Sequence, residues 1–134
     1  MSLADYSRLL LRRVLDQVHA LRRRLEAMVL LVMINEWSAI DWLWRGLQAD
    51  LQVPLIKLSY LQDFYGPSSN VAHPGLTTLH THWQAFRSTW QRLEEVYALK
   101  DKLALSDALE LDLLPWISEL QKSLVNLGRG NPER

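Results

Sequence analysis

Residues 28–44, MVLLVMINEWSAIDWLW, are apolar on every side of a helix and carry three of the chain's six tryptophans. A run of that kind has to be kept from water, so the fold must be built around it. One solution is a bilayer, which about 20 consecutive apolar residues can cross. Asn35, Glu36 and Asp41 interrupt the run, however, and an acidic side chain at mid-bilayer costs at least ~2.5 kcal/mol. The expectation is therefore a buried pair of helices and no membrane span. Asn35 is the expected end of the first helix. Ser38, with Asp41 three residues on, is the expected cap of the second. At least one of Trp42 and Trp44 should then be fully buried, together with Leu43.

A chain of 134 residues, 49% of them hydrophobic, can bury a core of its own. One helical domain is expected over residues 1–127, followed by a flexible C-terminal tail over 128–134, GRGNPER. Fifteen basic and fifteen acidic residues cancel, which removes the strongest compositional argument for nucleic acid or an anionic membrane. The chain has no cysteine, so a disulfide framework, a thiolate metal site and a cysteine nucleophile are excluded. Leu9–Leu11 runs directly into Arg12 and Arg13, where a signal peptide would continue its apolar core. The expected compartment is the cytoplasm.

Leu3, Leu10, Val14, Leu21, Leu25, Met28 and Val32 recur at helical spacing and predict a long first helix from Ser2 or Ala4 to about Ile34. At ~100° per residue, Arg8, Arg12, His19, Arg22 and Arg23 share one flank of that helix. Glu26 breaks this basic stripe, and Asp5 and Asp16 edge it. Three readings compete: a solvated face, salt bridges across a protein interface, and phosphate contacts by Arg8, Arg12, Arg22 and Arg23, since guanidinium groups take phosphate in a bidentate way. Residues 1–34 hold six arginines against three acids, so overall neutrality hides an uneven distribution of charge.

A second helix is expected over Ala39 to about Leu51, with Pro54 opening a third that ends at Gly66. Gly66 to Gly75 is rich in Pro, Gly and Ser and reads as the main loop. From Pro74 or Gly75 to about Leu103 the chain predicts a long helix whose seam is Leu76, Leu79, Trp83, Phe86, Trp90, Leu93 and Tyr97. Aromatic side chains at such a seam suit a globular bundle or a partner groove, which makes Trp83, Phe86, Trp90 and Tyr97 the candidate interface. Its far end, Trp90 and Tyr97, is expected to stand exposed in the isolated chain. Ser106 or Asp107 is the expected cap of a further helix. Pro115 is expected to kink that helix or start a last one, which runs to Asn126 with Gly128 as its cap.

Chemistry is sparse. His80 and His82 point ~200° apart on a helix, so with His73 they do not predict a metal site. Glu36 reads as a turn residue or a partner for Arg45. No Ser/His/Asp set and no glycine-rich phosphate loop is present. No catalytic, cofactor or metal residues are assigned. The reading is an all-α, single-domain bundle of four to six helices: a non-enzymatic interaction subunit or adaptor that docks on a protein partner or on itself. The alternative is a nucleic-acid-contacting small subunit that binds a phosphate backbone through the Arg stripe.

Overall fold

Helix α1, Leu3–Met33, is the spine of the computed structural model, which describes residues 2–65 and 79–129. It opens on a capping box: the Ser2 hydroxyl accepts from the Asp5 N–H at 3.1 Å, and the Asp5 carboxylate accepts from the Ser2 N–H. It closes where Asn35 adopts φ 62°, as expected of this residue. There the Asn35 N–H bonds the Val32 carbonyl at 3.1 Å and the Glu36 N–H bonds the Leu31 carbonyl at 3.0 Å. Those two bonds form a Schellman motif, with asparagine in the left-handed position usually held by glycine.

Helix α2, Trp37–Trp44, starts two residues earlier than expected and ends seven residues sooner. Its N-cap is Glu36, without a side-chain cap bond, and Ser38 lies inside the helix. Gly46, at φ +71°, stops it. Any side chain is strained at that φ, so the glycine divides the expected Ala39–Leu51 helix in two. Helix α3, Leu47–Tyr65, therefore begins before Pro54 and carries it in its interior.

Helix α4 spans Leu79–Leu99. The expected start at Pro74 or Gly75, the Gly66 cap and the loop between them lie outside the described residues. Its end comes four residues before Leu103, because Lys100 turns the backbone left-handed at φ 53°. Asp101, rather than Ser106 or Asp107, then caps α5, Lys102–Asp107, by accepting from the Ala104 N–H at 3.1 Å. The helical path continues through a π-helical stretch, Ala108–Leu113, into α6, Leu114–Arg129, which runs past Gly128. The wide turn, in which the Leu114 N–H reaches back to the Leu109 carbonyl, immediately precedes Pro115. Its extra residue eases the clash a proline ring makes with the preceding turn. Pro115 therefore sits in the first turn of the last helix, one of its two expected roles, and that helix runs on past the expected end at Asn126.

The long elements alternate in direction: α1 up, α3 down, α4 up, and α5 to α6 down, with α2 crossing the upper end. This is an up-down-up-down bundle, and the class is all-α, as expected. Apolar residues at steps of three and four face inward from every long helix. Val14, Val18, Leu21, Leu25, Met28 and Val32 meet Leu51, Leu55 and Leu58, Phe86, Trp90 and Leu93, and Leu109, Leu113, Ile117, Leu120 and Leu124. Among the described residues no helix is long and apolar enough to cross a membrane.

Residues 28–44 are only partly core. Met28, Val29, Val32 and Ile40 are buried, while Leu30, Met33, Ile34 and Trp42 are exposed. Neither Trp42 nor Trp44 is fully buried, and Leu43 is half-buried, against expectation. Eight residues of α2 cross the bundle end with one face inward: Ile40 is fully buried there, and Trp37, Leu43 and Trp44 pack partly buried against the core. Apolar character all round a helix therefore leaves one side of this stretch facing outward.

Candidate interaction surfaces

The upper end of the bundle is assembled by aromatic stacking between α2 and α4. Trp90 and Tyr97 are seven residues apart on α4, which puts them two turns apart on one face. The Trp44 indole slots between them, 4.9 Å from the Trp90 ring at 15° and 4.0 Å from the Tyr97 ring at 5°. Phe86 continues the stack, 6.0 Å from Trp90 and 5.1 Å from Trp116. Trp90 and Phe86 are thus buried inside the chain, and Tyr97 is half-buried. The expected exposure of the far end of the seam is not found, because α2 folds over it and supplies Trp44 as its cover.

Polar contacts fasten the same corner. The Tyr97 hydroxyl donates to Asp41 Oδ1, and Lys100 Nζ donates to that oxygen at 2.8 Å. The left-handed backbone at Lys100 turns its ammonium back over the Tyr97 ring, 3.7 Å from the centroid, and 5.2 Å from that of Trp37. Hydrogen bonds from Lys100 and Tyr97 hold the Asp41 carboxyl below the usual aspartate range. Partial burial and the bond to Asp41 push the Tyr97 phenol up. Burial opposes the charge on Lys100, yet its bonds to Asp41 and Tyr97 raise it overall. Arg24, which the sequence reading left out of the stripe, secures the other side of α2. Its guanidinium bonds the Leu43 carbonyl at 3.0 Å, the Arg45 carbonyl at 2.8 Å and the Asp50 carboxylate at 2.6 Å.

Around this fastened corner lies an uncovered apolar surface. Leu30, Met33 and Ile34 on the last turn of α1, Trp42 on α2, and Leu99 and Leu103 beside the α4–α5 turn are each between 57% and 75% exposed. All six belong to the upper end: α1 runs straight into α2, and the contacts of Lys100 with Asp41 and Trp37 bring the α4–α5 turn to α2. Tyr65 and Leu79 lie at the opposite end of the bundle.

The seam contributes elsewhere. Between α3 and α4 lies a cleft of ≈ 320 Å³ whose lining includes Trp83, Phe86 and Trp90 with Gln48, Gln52 and Gln91. Trp83 is half-buried, and the buried Trp90 indole N–H has no partner among the described residues. Tyr97 does not line this cleft.

The Arg stripe is divided. Arg22 Nη1 donates to Gln121 Oε1 at 2.9 Å and lies 3.7 Å from Glu26, and His19 Nδ1 is 2.9 Å from Gln121 Nε2. These contacts bind the middle of the stripe to α6 beside a cleft of ≈ 650 Å³. Arg8 acts on Asp5 at the helix start, where the Ser2 cap and then the Arg8 charge lower the Asp5 carboxyl. Arg12 and Arg23 are exposed and have no ion-pair partner among the described residues.

Of the histidines singled out, His82 is buried with its Nε2 3.0 Å from the Ser123 hydroxyl, and its carbonyl accepts from the Trp116 indole N–H at 3.1 Å. Burial lowers its pKa against the opposing charge of Glu119. His73 lies outside the described residues. No group of three metal-capable side chains occurs among the described residues. Glu36 is an exposed N-cap residue in the turn. No protein-family model, curated protein or solved structure matches the chain.

Proposed function

We propose that this chain is a non-enzymatic helical interaction subunit that docks on other protein through the upper end of its bundle. One observation carries the reading: six large apolar side chains stand more than half exposed at the end where α1, α2 and the α4–α5 turn meet. Single exposed leucines are ordinary on any protein surface, but a concentration of this kind is a recognition feature. Trp42 is the natural anchor, since tryptophan dominates interface energetics. The corner behind it is stiffened by the Trp44 stack, the Asp41 cluster and Arg24, so little ordering is needed on binding.

The phosphate-backbone alternative draws on Arg12 and Arg23 alone. Arg22 is engaged by Gln121 and Glu26, and Arg8 lies beside Asp5. Binding of that kind weakens steeply with salt, whereas apolar docking barely responds.

The test replaces Met33 and Ile34 by glutamate. Both side chains are exposed, so the helical far-UV dichroism should hold. In gentle extracts of cells that make it, the wild-type chain is expected at a mass well above its own 15.6 kDa and the double variant at the chain mass. A wild-type chain that runs at 15.6 kDa in such extracts contradicts the reading.

A further inference from the structure

We infer that the partner at the upper end of the bundle is a second copy of this chain, related by a two-fold axis; the inference rests on the docking reading above and names its occupant. Area is the first argument. At roughly 200 Å² per large apolar residue, the exposures of Leu30, Met33, Ile34, Trp42, Leu99 and Leu103 amount to about 800 Å². That is close to the ~800 Å² each partner contributes to an interface of standard size.

Charge is the second argument, and it selects among occupants. A two-fold interface sets a surface against itself, so every rim charge meets the same rim turned half a circle. A rim of one sign would repel its copy. Here the exposed charges near the patch have both signs: Glu36 and Asp101 against Arg45 and Lys102. The whole chain has a formal net charge of zero, so no long-range repulsion separates two copies. An anionic bilayer would instead call for a basic rim, and a nucleic acid would leave the apolar side chains without a role. Arg12 and Arg23 lie below the last turn of α1, away from this rim.

Shape is consistent with both arguments. The last turn of α1 projects Leu30, Met33 and Ile34 from positions i, i+3 and i+4, a single ridge of the kind that packs against its own copy. Asn35 ends the helix immediately afterwards and turns the chain into α2, so nothing on the described chain folds back over the ridge.

The test uses the purified full-length chain. At about 100 µM, where a micromolar interface is formed, sedimentation equilibrium should give twice the 15.6 kDa chain mass, and Ile34→Glu with Leu103→Glu should give the chain mass with unchanged helical dichroism. Because the chain has no cysteine, Ile34→Cys reports the geometry directly. On mild oxidation it should form a disulfide-linked dimer in high yield, while Ser88→Cys, exposed midway along α4, should not. A monomeric purified chain whose cell extract still shows a larger complex overturns the two-fold inference and leaves the docking reading standing. A monomer in both overturns both. A dimer that survives the Ile34→Glu, Leu103→Glu substitution, or that cross-links through Ser88→Cys instead, also overturns the inference.

Discussion

The Trp44 indole lies 4.0 Å from the Tyr97 ring with only 5° between their planes, and this stack fixes which tryptophans of the central stretch matter for stability. Trp44 is half-buried between two rings of α4, whereas Trp42, two residues earlier, is 69% exposed. Trp44→Ala should therefore destabilise the chain by ~3 kcal/mol, the low end for tryptophan truncation. In the Ile34→Glu, Leu103→Glu monomer, Trp42→Ala should stay within about 0.5 kcal/mol, as surface changes do. Urea denaturation of the two variants checks the contrast, and equal losses would contradict the placement of α2.

Arg24 ties α1 to the end of α2 and the start of α3 through two carbonyls and one carboxylate. Its side chain is only 21% exposed, so truncation leaves acceptors with poor access to water. Arg24→Ala should cost ~1–3 kcal/mol. Arg24→Lys should recover little of it, because an ammonium cannot reproduce the planar fork that reaches three acceptors. Thermal melts of the pair read this out; full rescue by lysine would show that charge alone holds the corner.

His82 supplies a pH dependence whose sign follows from its burial. Its folded pKa lies below the ordinary histidine value of 6.5, so the unfolded chain takes up the proton first as pH falls. The stability this residue contributes is complete above pH ~6.5 and declines below it, down to the folded pKa. His82→Gln, which can still bond Ser123, should flatten that decline between pH 7 and 5. Denaturation midpoints across this range decide it, and an unchanged slope in the variant would assign the acid sensitivity to other groups.

Asp41 behaves in the complementary way. Hydrogen bonds from Lys100 and Tyr97 lower its folded pKa, so its contribution is present above the ordinary aspartate value and is lost as pH falls through the folded one. The Asp41–Lys100 pair is partly solvent-exposed, so Asp41→Asn should cost less than ~1 kcal/mol near neutral pH. What it should loosen is local: hydrogen exchange in α2 should speed up while α6 stays unchanged. Equal acceleration in both helices would mean that the cluster supports the whole bundle.

The helical class and the limits of α1 were legible because long periodic runs and an asparagine stop act locally. Gly46 was also in view, but an apolar run on both sides of it read as one helix, since periodicity does not register a single left-handed residue. Asp101 was overlooked for the opposite reason: Lys100 has no propensity for φ 53°, and only its contacts with Asp41, Tyr97 and Trp37 make that turn favourable. The aromatic seam of α4 was recognisable, yet what covers Trp90 is Trp44, 46 positions earlier, and no local pattern encodes that pairing. Sequence reasoning consequently put exposed aromatics on α4, whereas the large apolar side chains exposed at the upper end are Leu30, Met33, Ile34, Trp42, Leu99 and Leu103. A separate search for apolar residues at the ends of helices would have found most of these.

Docking through the upper end of the bundle requires that surface to be covered when the protein is assembled. Hydroxyl-radical footprinting measures this side chain by side chain, and Met33 and Trp42 are two of its most reactive targets. Compared with the Ile34→Glu, Leu103→Glu monomer, assembled wild-type protein should show several-fold slower oxidation of Met33 and Trp42, with Trp83 unchanged. Equal oxidation of Met33 and Trp42 in both, or protection confined to Trp83, would contradict the claim that the upper end of the bundle is where this chain docks.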